Sequence, residues 1–395
     1  MSATGPDAAS DIAAGPLPSD QLPPAVAKLL AAPGPMKLMA AKGMAPLRPA
    51  ELLTALYQLT FDSDAAVRDA ATATVVGLPD NLCAPPLGEP LPAGVLHLFA
   101  RALPADRTHA LEKILYNPAA SDQTFVVLAG RLRDRELEVM FQNEARLLRC
   151  PAILEALYQN PAARMSSVNR AIELCARNGV RAEGIPAFDE IAKAILDDPA
   201  ARDTAADAVF AGVLSASDGL VALPELDELD DLLPPETPLA QPVAAAAAES
   251  PATEKKSTRT SPIIDFGRLK LYEKIRLATL GNAYCRSNLM RDPNRMVALA
   301  AIRSPRITDN EVANAAGNRS ISEDVIRYIG NQRDYTKNYQ VRLSLVKNPK
   351  CPVALSLKFL PLLQADDLKQ LARSKSVPGP VATGARRLMQ SRKPE

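Results

Sequence analysis

The chain has 395 residues, 47% of them apolar, only 4% aromatic and none tryptophan, which exceeds one compact core and favours helices built from Ala and Leu over a large β-sandwich or barrel. Its net charge of +1 hides an asymmetry. Residues 254–395 hold 27 Lys/Arg against 12 Asp/Glu, a net of +15, and residues 1–253 hold 19 against 33, a net of −14.

Residues 1–22 are rich in Ala, Gly, Pro, Ser and Asp and lack the basic start and apolar stretch of a signal peptide; they read as a disordered tail. An acidic helical-repeat domain is expected over 23–214. Helix ends recur at Leu56-Tyr57-Gln58, Leu115-Tyr116-Asn117-Pro118 and Leu157-Tyr158-Gln159-Asn160-Pro161. Further helix starts are expected at Asp106, Ser121, Asp134 and Pro151.

Residues 215–261 change character, with repeated prolines, an Ala run at 244–248 and the polar string Glu254-Lys255-Lys256-Ser257-Thr258. They read as a disordered linker, too polar and too short in its apolar run to span a bilayer. Within it, 220–233 places Leu226, Leu229, Leu232 and Leu233 at helical spacing between acidic residues. Such a segment is either the last turn of the preceding domain or an acidic amphipathic helix that docks in a groove.

A basic helical-repeat domain is expected over 262–390, followed by a tail at 391–395. Here the pattern is most regular. Ile307-Thr308, Ile321-Ser322 and Tyr335-Thr336 set an apolar residue before a cap at steps of 14 residues, and Cys351-Pro352, Ala365-Asp366 and Val377-Pro378 continue the beat. Thr308 and Glu311 have the spacing of a capping box. Short apolar runs follow each start. They end at Ser304-Pro305, Asn318-Arg319, Asn331-Gln332, Asn348-Pro349 and Ser374-Lys375, where Asn tolerates the left-handed conformation that ends a helix and Pro cannot continue one. Helices this short are unstable alone, so stacked pairs with a period near 28 residues are expected, an all-α architecture of two α-solenoid segments joined by the linker.

The run from Leu289-Met290-Arg291-Asp292-Pro293 through Ser304-Pro305-Arg306-Ile307-Thr308 to Asn348-Pro349-Lys350-Cys351-Pro352 resembles HEAT-like repeats of the leucine-rich-repeat-variant type, and also an uncharacterised bacterial helical-repeat family that shares these turns. The likeness covers about 265–389, with a fainter echo over 50–215. Asp64-Ala65-Ala66-Val67-Arg68-Asp69-Ala70-Ala71 looks like the Asp-x-x-Val-Arg-x-x-Ala stretch of HEAT repeats. The resemblance implies that Val67 and Ala71 face the core and that Asp64 and Arg68 bond between neighbouring repeats. It implies an architecture and attaches no activity; a binding scaffold follows by association.

Chemistry is sparse. The two histidines, His97 and His109, form no metal-ligand spacing, and no phosphate-cradling glycine loop occurs. Gly281 and Gly317 read as helix caps. Cys83, Cys150, Cys175, Cys285 and Cys351 share no CxxC spacing and read as reduced core thiols of a cytoplasmic protein. No catalytic, cofactor or metal residue is assigned, and the reading is non-enzymatic.

The remaining candidates are partner-binding. Arg291, Arg295, Arg303, Arg306, Arg319 and Arg333 belong to the basic domain, whose arginines suit carboxylate or phosphate recognition. The open readings are a solvated exterior that offsets the acidic half, an acidic protein surface, and a nucleic acid. Leu226, Leu229, Leu232 and Leu233 would dock on another protein or on the chain's own basic half. Tyr272, Tyr284, Tyr328, Tyr335 and Tyr339 lie among the arginines, where stacked bases would want them, although Tyr335 occupies the core position of Ile307 and Ile321. A protein-interaction scaffold is the leading function, with nucleic-acid binding as the alternative and no membrane partner.

Overall fold

The computed structural model describes residues 15–217, 265–374 and 376–391. These residues form α-helices and short 3-10 turns, with no strand among them. The chain divides into two compact units, Met1–Asp207 and Ala208–Glu395. The linker expected over 215–261 lies outside the described residues from 218 on, as does its amphipathic segment.

The helices in chain order are α1 (Pro24–Leu30), α2 (Gly34–Ala41), α3 (Pro49–Leu59), α4 (Ala65–Gly77), α5 (Asp80–Leu87), α6 (Ala93–Ala102), α7 (Thr108–Leu115), α8 (Asp122–Ala129), α9 (Asp134–Gln142), α10 (Glu144–Arg149), α11 (Pro151–Gln159), α12 (Met165–Arg177), α13 (Phe188–Asp197) and α14 (Ala205–Ser217). After the undescribed stretch come α15 (Leu271–Leu280), α16 (Ala283–Leu289), α17 (Arg295–Ile302), α18 (Asp309–Gly317), α19 (Glu323–Asn331), α20 (Tyr339–Lys347), α21 (Val353–Phe359), α22 (Ala365–Arg373) and α23 (Gly379–Ser391).

Each unit is a stack in which a helix packs both on its successor and on the helix after that. In the first unit α1 lies on α3, α2 on α4, α3 on α5, α5 on α7, and α6 on α8. In the second, α15 lies on α17, α16 on α18, α17 on α19, and α18 on α20. This two-row order is the solenoid that short apolar helices require. Leu53, Leu56, Val95, Phe99, Leu111 and Ile114 are fully buried in the first unit, as are Ile275, Ala301, Val312, Ile326 and Leu345 in the second.

The polar turns fix the spacing. Asn117, at the end of α7, donates through Nδ2 to Leu87 O and Glu89 O, both at 2.7 Å. Asn160, at the end of α11, donates to Ala129 O at 2.7 Å and Leu132 O at 2.9 Å. Asn348, at the end of α20, donates to Ala316 O at 2.8 Å and Asn318 O at 3.1 Å. In each case one acceptor is a last-turn carbonyl of the neighbouring helix, α5, α8 or α18, which its own helix cannot satisfy, and the other lies one to three residues beyond that helix. Each Oδ1 accepts an amide two residues on, from Ala119, Ala162 and Lys350, at 2.9–3.0 Å. Ser304 does the same with one oxygen, donating to Thr279 O at 3.2 Å and accepting from Arg306 N at 3.4 Å.

This corrects the expected role of asparagine. Asn160, Asn318 and Asn348 have φ of −83°, −76° and −79°, with ψ near 120°, and are extended rather than left-handed. A following proline disfavours the helical conformation at Asn160 and Asn348; the backbone amide closes the residue's own helix, and the side chain reaches the end of the neighbouring one. Among the described residues the positive φ angles belong to Gly43, Gly179 and Ala187. At Gly281 the requirement is space: a Cβ there would stand 2.6 Å from Leu277 O and 2.7 Å from Cys285 Cβ.

Helix starts follow the expected beat with local departures. Thr308 caps α18 in a capping box, its hydroxyl accepting from Glu311 N at 3.4 Å while Glu311 Oε2 accepts from Thr308 N at 2.8 Å. Ser121 caps α8, and α9 and α11 begin at Asp134 and Pro151. However, α7 begins at Thr108 rather than Asp106. Tyr335–Lys337 is a 3-10 turn, so α20 starts at Tyr339, where Asn338 Oδ1 accepts from Gln340 N at 2.9 Å. In the HEAT-like stretch Val67 and Ala71 are buried. Yet Asp64 caps its own helix, and Arg68 Nη1 donates to Asp62 O at 2.7 Å and Ser63 O at 2.9 Å. Both act within one turn rather than between repeats.

At the described start of the chain, within the stretch expected as a tail, Leu17 exchanges two 2.9 Å hydrogen bonds with Gln58 of α3, and Tyr57 Oη donates to Gly15 O at 2.8 Å.

Replacing Asn348 by Ala strands two carbonyls and one amide beside a buried position. The unfolding free energy should fall by about 1–3 kcal/mol, read from urea denaturation followed by helical circular dichroism. An unchanged midpoint would show that the asparagine is not what joins α18 to α20.

Candidate partner-binding surfaces

Five of the six candidate arginines sit on the connections of the second unit, Arg295 is the first residue of α17, and the structure separates them. Arg303 and Arg306 lie between α17 and α18, and Arg333 lies between α19 and α20. The two connections meet: Tyr335 Oη donates to Ile302 O at 3.2 Å, the Tyr335 ring stands edge-on to Tyr328 at 6.5 Å, and the Arg303 guanidinium covers Tyr328 at 4.7 Å. Burial pushes the Tyr335 hydroxyl above the usual tyrosine range, so it remains a neutral donor. Arg291 and Arg319 lie on the other set of connections, with Lys350, whose ammonium donates to Ile321 O at 3.0 Å.

Several of these cations already have structural work. Arg306 Nη1 donates to Leu280 O at 2.9 Å and so closes the end of α15. Arg295 pairs with Asp324 at 3.2 Å, an exposed bridge worth at most about 1 kcal/mol. Arg286, outside the candidate set, is buried. Its Nε and Nη2 donate to the two oxygens of Glu311 at 2.9 and 3.0 Å, while Nη1 donates to Gly281 O at 2.7 Å. The first unit uses the same device: Arg131 donates to the last carbonyls of α6, Ala100 O and Arg101 O, and to Leu103 O just beyond it, and Arg146 donates to Ala120 O at 3.1 Å. Arginine therefore supplements asparagine as a link between repeats, a role that composition alone does not separate from ligand binding. Arg303, Arg319 and Arg333 are exposed, and Arg303 carries its charge over an aromatic face.

The tyrosine set divides likewise. Tyr272 is buried. Tyr339 donates to Asp367 and accepts from Gln364 N at 3.1 Å, joining α20 to the start of α22. Tyr284 lies 6.2 Å from Phe266. Only Tyr328 and Tyr335 join a cluster with a candidate arginine. Leu226, Leu229, Leu232 and Leu233 lie outside the described residues.

Two clefts in the first unit were not among the sequence expectations. One, of about 400 Å³, lies between the ends of α2 and α4 and the start of α5, lined by Lys42, Gly43, Leu52, Thr74, Leu78 and Leu82 among others. The second, of about 450 Å³, lies between the end of α12 and α13, with Gly179, Val180, Phe188 and Leu196 in its lining. Both form where a helix ends on a left-handed glycine instead of a stapling asparagine. At α2, Gly43 N donates to Ala40 O at 2.8 Å and Met44 N to Met39 O at 3.1 Å; at α12, Gly179 N donates to Ala176 O at 3.1 Å and Val180 N to Cys175 O at 2.9 Å. This closure brings the residue after the glycine beside the last turn of the helix, here Met44 beside Met39. The signals available in sequence were Lys42-Gly43-Met44 and Asn178-Gly179-Val180.

Among the described residues no cluster of His, Cys, Asp and Glu is able to hold a metal ion, and no helix is long and apolar enough to cross a membrane. No family model, curated protein or solved structure matches the chain.

Two measurements follow. Arg306→Ala should lower the unfolding free energy by about 1–3 kcal/mol, because a charged donor is withdrawn from a helix end. Arg319→Ala should change it by less than about 0.5 kcal/mol; equal effects in urea denaturation would contradict this division of labour. Among the cysteines, Cys150 is the one not fully buried, and burial pushes the Cys175 thiol up to about 11. Iodoacetamide at neutral pH should therefore label Cys150 first in the folded chain, as resolved by peptide mass spectrometry. Prior labelling of Cys175 would place α12 wrongly.

Proposed function

We propose that the protein is a non-enzymatic, cytoplasmic interaction scaffold whose helical stacks present surfaces to other proteins, in the manner of the HEAT-like repeats that its turns resemble. The observation that supports this most is the apolar cleft beside α2, α4 and α5, where Leu82 is 53% exposed and Met39 and Met44 stand 42% and 68% exposed at the helix end. Soluble chains seldom leave a leucine this exposed in an apolar concavity, with exposed methionines close by in the chain, without a partner. Methionine, being flexible and polarisable, suits surfaces that receive apolar side chains.

A second reading has its own observation. Arg303 over Tyr328, with Tyr335 alongside and Arg333 on the same connection as Tyr335, sets cations beside aromatic faces as a nucleic-acid surface does. The protein reading ranks first because Arg286, Arg295 and Arg306 have partners within the fold.

Affinity capture with the full chain from cytosolic extract, with and without nuclease, separates the two. Retention of stoichiometric proteins after nuclease is the expected result. Loss of all captured material on nuclease treatment, together with retardation of single-stranded nucleic acid that weakens steeply with salt and is abolished by Arg303→Glu with Arg333→Glu, would overturn it.

A further inference from the structure

The two clefts of the first unit share a construction but differ in charge. In the cleft below α12, Arg181 meets Asp189 at 2.8 Å, and Lys193 and Asp197 complete a lining with as many carboxylates as cations. In the cleft below α2 the cation of the lining is Lys42, which is exposed and which forms no ion pair with a described carboxylate. Lys37, one turn back, already holds Asp62 at 3.0 Å. Lys28 on α1 is exposed as well. The walls around Lys42 are apolar: Leu52, Ala73, Leu78 and Leu82. Met36 and Met39, one helical turn apart on α2, and Met44, whose amide donates to Met39 O, are exposed and flank Lys42 and Gly43 of the lining along the chain.

We infer that this cleft receives an amphipathic helix of a partner protein, one with acidic residues flanking its apolar face. The inference rests on the scaffold reading above and names the chemistry of the partner. Leu82 and the methionines would take the apolar side chains, which recur every three or four residues along a helix. Lys42 would meet a carboxylate at the edge of the helix, an arrangement that sets orientation and approach. A second copy docked face to face would instead set Lys42 against Lys42, since a two-fold contact pairs like with like. A nucleic acid would find a cation but no use for the leucine and methionine walls.

The test uses the full chain and two labelled amphipathic peptides of about 15 residues, with leucines at helical spacing. One carries glutamates on its flanks and the other carries lysines at the same positions. Fluorescence anisotropy should show the glutamate peptide binding at least about tenfold more tightly than its lysine twin. Leu82→Glu should weaken that binding by about tenfold or more. Lys42→Glu should reverse the preference between the twins. Oxidative footprinting by mass spectrometry should find Met39 and Met44 protected when the glutamate peptide is bound.

Equal binding of the twins, no binding of the glutamate peptide, or no protection of the methionines would overturn the inference, as would a protein that sediments as a dimer with Met39 and Met44 protected without peptide. Leu82 is half exposed, so Leu82→Glu should keep its helical spectrum; should it unfold, the Lys42→Glu reversal decides. Nuclease-resistant partners retained by the Leu82→Glu chain would sink the cleft and leave the scaffold reading standing. Loss of such partners from the unsubstituted chain would sink the scaffold reading itself.

Discussion

A short helix is mostly ends. Every α-helix leaves its last four carbonyls without an internal partner, and helices of seven to thirteen residues, such as α1 and α4, therefore expose an unusually large share of their polar backbone. The fold answers this demand from the adjacent helix of the row. Asn117, Asn160 and Asn348 each give two N–H bonds to carbonyls 28–32 residues earlier in the chain. Arg131 does so with its guanidinium, and Arg306 gives one such bond, to Leu280 O 26 residues earlier. Apolar burial supplies the bulk of the stabilisation, but it has little directional preference. The polar links determine which helix sits beside which, and at what register.

This dependence explains what could be read from the sequence and what could not. Helix starts were legible where the cap is local: Thr308 with Glu311, Ser121, and Pro151 at a first helical position act within four residues of themselves. The all-helical class and the stacking were legible because short amphipathic runs have no other way to bury their apolar sides. Asn-Pro was recognised as a turn but misread as a left-handed cap, since its partners lie about 30 residues away. The same distance hid the roles of the arginines. Arg306 and Arg319 look alike in the chain and both are exposed, yet Arg306 is bonded to Leu280 O, 26 residues back. The HEAT-like Asp64 and Arg68 failed in the opposite direction, being expected to reach between repeats and bonding locally instead.

The candidate surfaces follow the same logic. Where asparagine closes a helix, its side chain draws the neighbouring turn close and fills the space between. Where Gly43 or Gly179 closes it, the backbone satisfies its own carbonyls and the closing residue has no side chain to reach the neighbour. A gap between successive turns is then available for side chains from elsewhere. The clefts thus arise from a change in how one helix ends rather than from any specialised insertion, and a single residue type marks the change.

The asparagine links also have a consequence for how the stacks would respond to force. Each link spans one repeat and no further, so tension applied along the chain loads one seam at a time instead of the whole unit. Such a stack would yield in successive small steps of about one repeat each, and would re-form in the same increments when the load is released, behaving as an elastic element in which every seam is an independent latch.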